Sequence, residues 1–185
     1  MEQYKEARSR ALRKLQIADH MLTQTYPAVK DPKLLLSVLE NLFLALTNGM
    51  AAVLHYEYAN KNIPEFQDTF ESKYNLFKFK VVDRRGIDKD YVKFIAEVKD
   101  IIVNHKNSPV EFSRKDTFVI CTGNYGIQTV TANHLKKYVT KTKSFLQEID
   151  SIIDPNALPP AETEKEKKNP FGNSGWTDIN RLMED

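Results

Sequence analysis

Twenty-three residues, LLLSVLENLFLALTNGMAAVLHY from Leu34 to Tyr56, constrain what this chain can fold into more than any other stretch. Leu35, Leu39, Leu42, Leu46, Gly49, Val53 and Tyr56 alternate in steps of four and three, the spacing of one helical face. Leu36, Val38, Phe43, Leu44, Met50 and Leu54 widen that face until most of the circumference is apolar. A helix apolar nearly all round is buried among other helices or in a bilayer. Length alone would allow a membrane span. Glu40, Asn41, Thr47, Asn48 and His55 within it would be costly there, and the mean hydropathy of the whole chain is −0.50. The expectation is the central helix of a soluble helical domain with no membrane partner. Asp31-Pro32 supplies its start, with Asp as N-cap and Pro at the first helical position.

At 185 residues the chain suits one domain and a tail. Residues 1–150 carry 23 Lys/Arg against 18 Asp/Glu, a charge of +5. Residues 151–185 carry 4 against 7, a charge of −3, and the two together give the overall +2. A body at +5 is mildly basic, short of a dedicated nucleic-acid binder. The lone Cys121 has no partner for an internal disulfide and no CxxC companion, which fits a reducing, cytoplasmic setting. The first residues, MEQYKEARSR, lack the apolar core of a secretory signal.

Around the central helix the other elements read in order. Ala11, Leu15, Ala18 and Leu22 mark an amphipathic helix over 3–26, ended by Pro27 and packed antiparallel to the central one. Phe66, Phe70, Tyr74, Phe77 and Val81 repeat the heptad spacing after a break at 60–64, with Phe79 and Leu76 beside the stripe, and this third helix ends near Gly86. Asp88 caps a fourth helix, buried through Tyr91, Ile95, Val98 and Ile102, which stops before Ser108-Pro109. Phe118–Cys121 and Ile127–Val130 are β-favouring runs on either side of a Gly-bounded turn, a hairpin signal. Thr131 or Asn133 then caps a fifth helix with Leu135, Val139, Thr142, Leu146, Ile149 and Ile153 on one side. The fold class is therefore mainly α: a five-helix, bundle-like domain over 1–153 with a short β-hairpin before the last helix. Residues 154–169, holding ETEKEKK, have nothing to bury and read as a charged linker. Residues 170–185 form a tail in which Trp176, Ile179, Leu182 and Met183 share one side of a short helix, with Phe171 upstream. An apolar cluster on a tether has the form of a peptide ligand for a helix-binding groove, or of a segment that folds back on its own domain.

Three sets of residues are candidates for function. The tail residues Phe171, Trp176, Ile179, Leu182 and Met183 are candidates to bind a protein partner. Arg8, Arg10, Arg13 and Lys14 on the first helix, with His105 and Arg114, are candidates to contact nucleic acid; the plainer reading of the Arg cluster is a solvated helix face. Glu40, Asn41, Asn48 and His55 form a polar stripe on the central helix that could line a ligand, or could be satisfied by neighbouring helices. Glu40 and His55 are about 22 Å apart along a helix, too far to share one substrate atom. The stretch Asn104–Asp116 is the densest in polar side chains and reads as a polar connection. No Gly-rich phosphate loop, nucleophile elbow or histidine spacing for a metal occurs. No catalytic residue, metal site or cofactor is expected.

The long antiparallel pair over 3–58, followed by further helices, resembles the HEPN group of small helical domains of prokaryotic defence and RNA-processing systems. Ribonucleases of that group carry Arg, four to six residues, then His. Here Arg114 is followed by His only at position 134, and Arg84 and Arg85 by His105. The resemblance therefore implies a non-catalytic member, and the hairpin is a further departure from the group. Asn169-Pro170-Phe171 is similar to the tripeptide ligand of EH domains. The leading expectation is a non-enzymatic helical adaptor that docks a protein partner through residues 170–183, with homodimerisation a further expectation. An RNA-binding or RNA-cleaving HEPN-like protein is the alternative.

Overall fold

Five helices and three short strands follow one another in the computed structural model, which describes residues 2–155. Helix α1 (Gln3–His20) continues through a π-helical turn (Met21–Thr25) and a last α-turn (Tyr26–Val29). The central helix α2 spans Lys33–Ala59. Helix α3 (Phe70–Leu76) likewise passes through a π-helical turn (Phe77–Val81) into a final turn (Val82–Arg85). Helix α4 is Lys89–Asn107, the strands are β1 (Val110–Arg114), β2 (Thr117–Cys121) and β3 (Ile127–Thr131), and α5 is Ala132–Ile153.

The apolar rod is the core. Leu35, Leu39, Leu42, Leu46 and Val53 of α2 are wholly buried, and the helix packs chiefly against α1 and α5. It is long and apolar enough to cross a membrane, but 56% of its apolar window is already covered by the rest of the fold. Gly49 shows how closely α5 approaches. A β-carbon there would lie 2.6 Å from Leu146 Cδ2 and 2.9 Å from Phe145 Cε1. Only glycine leaves room for those two buried side chains to lie against the α2 backbone.

Local chemistry explains most boundaries. Asp31 accepts a hydrogen bond from the Lys33 N–H at 2.9 Å. Thr69, Asp88 and Thr131 cap α3, α4 and α5 by accepting from Ser72, Asp90 and His134. Gly86, at φ 68°, ends α3 in the left-handed conformation.

Two boundaries and one side-chain position depart from the sequence reading. Pro27 does not end α1; the helix runs on to Val29 and closes at Lys30, φ 55°. The widened π-turn just before Pro27 shifts the hydrogen-bond ladder and relieves the demand for the missing N–H. Phe66 lies outside α3, which starts only after Thr69, and Phe66 instead packs on the His55 ring at 5.1 Å. Phe79, expected to flank the buried stripe of α3, is 64% exposed on its π-turn.

The β element is larger than a hairpin. The order is β1-β2-β3, antiparallel throughout, with Phe112 opposite Val119 and Val119 opposite Thr129. Strand β1 falls within the stretch read as a polar connection. Its Val-Glu-Phe-Ser-Arg alternation, followed by a tight turn with Lys115 at φ 52°, is the signal that marks it.

Candidate interaction surface

Residues alternate between the two faces of a strand, and the register sorts this sheet accordingly. Phe118, Ile120 and Val130 face the helices and are at most 5% exposed. Two polar latches on the same face tie the sheet to α4. His105 Nδ1 lies 2.7 Å from Glu111 Oε1, and Asn104 donates to Gln128 Oε1 at 2.8 Å. Glu111 and Gln128 sit opposite the two sides of Ile120, so the latches grip both edge strands at one level.

The other face is open. Val110 and Phe112 on β1 are 55% and 45% exposed, Ile127 on β3 is 71% exposed, and Tyr125 stands fully out at the β2–β3 turn. Val119 on the middle strand is buried between them. Phe112, Val119 and Ile127, together with Thr117, Thr129, Arg114 and Lys115, border a shallow hollow of about 390 Å³. Four of the nine large exposed apolar side chains among the described residues lie on this one small sheet. Singly exposed apolar residues are ordinary; grouped on one face, these make the sheet a candidate interaction surface.

The residues singled out from the sequence fall in separate places. Arg8 donates from Nε to Asp150 at 2.6 Å, half-buried, and this contact with Asp150 holds the guanidinium proton more firmly than usual. Arg10 pairs with Glu6 one turn away. Asp150 and Thr131 lie near opposite ends of α5, so Arg8 and the sheet bearing Arg114 are separated by roughly 28 Å of helix. Arg8, Arg10, Arg13 and Lys14 on α1 therefore do not form one surface with Arg114. His105 faces inward to Glu111, whereas Arg114 faces out on the sheet.

The polar stripe of α2 is largely self-satisfied. Asn41, Thr47 and Asn48 donate to the carbonyls of Ser37, Phe43 and Leu44 one turn back. Glu40 is exposed, and a cleft of about 860 Å³ between α3 and α4 opens elsewhere. Burial lowers the His55 pKa; Asp68 nearby opposes that shift, and Lys73 and Arg10 reinforce it. Phe171, Trp176, Ile179, Leu182 and Met183 lie outside the described residues.

Two features escaped the sequence reading. The first is the open apolar sheet face, hidden because β1 was read as a connection. The second is Glu57, wholly buried near the end of α2, where Arg85 Nε donates to Oε1 at 2.6 Å and Arg84 Nε lies 3.9 Å from Oε2. Arg84 also clasps Asn62 through its carbonyl and side-chain oxygens. This cluster binds the end of α2 to the end of α3. Nothing in the pattern His-Tyr-Glu-Tyr distinguishes Glu57 from an exposed acid.

No family model, no curated protein and no solved structure matches this chain.

Proposed function

We propose that the chain is a non-enzymatic interaction protein, a helical adaptor that engages a protein partner. The observation that carries this reading is the open outer face of the sheet, where Val110, Phe112 and Ile127 offer apolar surface to solvent. Residues 170–183 supply a second, tethered contact through Trp176 and Leu182. The sheet supplies the shape, since its edge strands β1 and β3 each have a single strand neighbour among the described residues and could take an added strand. A second copy of the chain and an unrelated protein both fit such a face.

The alternative is an RNA-binding protein, HEPN-like in its helices. One observation favours it: Phe112 lies on an open sheet one pleat from Arg114, with Lys115 at the turn, and aromatic-plus-basic sheets are a base-stacking arrangement.

Salt separates the two. Full-length protein is titrated with mixed-sequence single-stranded RNA at low and high salt, and its oligomeric state and captured partners are compared with those of Phe112→Glu/Ile127→Glu. The adaptor reading expects salt-tolerant self-association or partner capture that the double variant loses. RNA binding that falls steeply with salt, and is lost in Arg114→Glu/Lys115→Glu, would overturn it.

A further inference from the structure

The cleft between α3 and α4 encloses about 860 Å³. Its floor is apolar: Tyr74, Val82, Val92 and Ala96, with Tyr74 fixed in place by donating its hydroxyl to the Val92 carbonyl at 3.1 Å. Ala96 is the small residue that leaves the hollow, and Phe79 stands 64% exposed on the lip. Charged side chains such as Lys78, Lys93 and Asp100 border it. An apolar trough between two helices, with charges at the rim, is the shape that accepts an amphipathic helix.

We infer that this trough is the seat of the chain's own C-terminal segment, residues 170–183, docked in cis. Three observations identify the occupant. Trp176, Ile179, Leu182 and Met183 recur at steps of three, three and one, which places them on one side of a short helix. The seat is close to where the tail departs. Tyr91, in the first turn of α4, packs on Phe145 of α5 at 5.3 Å, and α5 ends at Ile153, about 12 Å further along. Residues 154–169 can then span about 50 Å when extended, well over the distance required. Tethering also sets the energetics. A tether of this length holds its ligand at an effective concentration of order mM, so a segment with an intrinsic Kd of about 100 µM is docked about 90% of the time.

Docking in cis keeps the tail's apolar side chains covered until a partner competes for them. The inference rests on the tail being a binding segment, as in the functional reading above, yet the two fail separately.

Trp176 is the only tryptophan in the chain, so its fluorescence reports the docking directly. In the full-length protein its emission is expected to be blue-shifted, and its quenching by acrylamide several-fold slower than in the urea-denatured chain. Phe79→Ser, at an exposed position, and Ala96→Glu, on the cleft floor, should each return Trp176 to the exposed values. Circular dichroism checks that both variants keep the helical fold. Emission that is already that of the denatured chain would overturn the inference. So would a protected Trp176 indifferent to both substitutions, which places it elsewhere, or protection lost on dilution together with a dimer, which makes the occupant a second copy. Exposed Trp176 combined with partner binding that still needs it would remove the cis seat and leave the adaptor reading standing.

Discussion

At the scale of single residues, burial decides which charges matter. The Glu57 carboxylate is fully enclosed, whereas the Arg85 side chain that binds its Oε1 is 31% exposed, and Oε2 has no hydrogen-bond partner among the described residues. The pair is therefore asymmetric. Arg85→Ala strands a buried carboxylate with only the longer 3.9 Å contact to Arg84, and should cost about 3 kcal/mol in a urea unfolding experiment. Glu57→Gln should cost less, because the released guanidinium can turn to water. His55 gives a pH dependence of known sign. Its pKa is lowered in the fold by burial, so between the folded and unfolded pKa values the unfolded chain binds more protons. That contribution to stability is present above the ordinary histidine pKa and is lost as pH falls through it toward the folded value. The drop in melting temperature between about pH 7.5 and about pH 5.5 should therefore be smaller in His55→Phe than in the wild type.

At the scale of elements, the close approach of α2 and α5 depends on one missing side chain. Gly49→Val forces branched carbons into the space held by Leu146 and Phe145, both of which are tightly packed. The expected loss is about 2 kcal/mol, read as a lower urea midpoint with an unchanged slope. Element identity was largely legible in the sequence, because helical period and caps are local. Asp88 and Thr131 sit where their side chains accept from the first turns of α4 and α5, and α5's buried face includes Leu135, Thr142, Leu146 and Ile149 as the spacing requires. What escaped was local structure that depends on its surroundings. Strand β1 has Glu111, Ser113 and Arg114 among its five residues, and becomes a strand because β2 supplies its ladder. The π-turns at Met21–Thr25 and Phe77–Val81 each hold one residue more than an α-turn, which carried α1 past Pro27 and left Phe79 outside.

At the scale of the whole molecule, the open sheet face and the α3–α4 cleft are separate surfaces on one helical body. Phe112 and Ile127 contribute little to the core, so Phe112→Glu/Ile127→Glu should leave thermal stability within about 0.5 kcal/mol of wild type while abolishing the association. A melting transition that instead fell sharply would mean that the face is covered in the native protein. The sequence by itself determined the helical class, the central apolar rod and the caps Asp88 and Thr131, because period, propensity and capping act within a few residues of the chain. Only the tertiary structure decided that Glu57 is buried and that His105 turns inward to Glu111 while Arg114 faces out. Those outcomes depend on which elements pack beside which and on what each neighbour excludes from water, and no stretch of sequence carries that information alone.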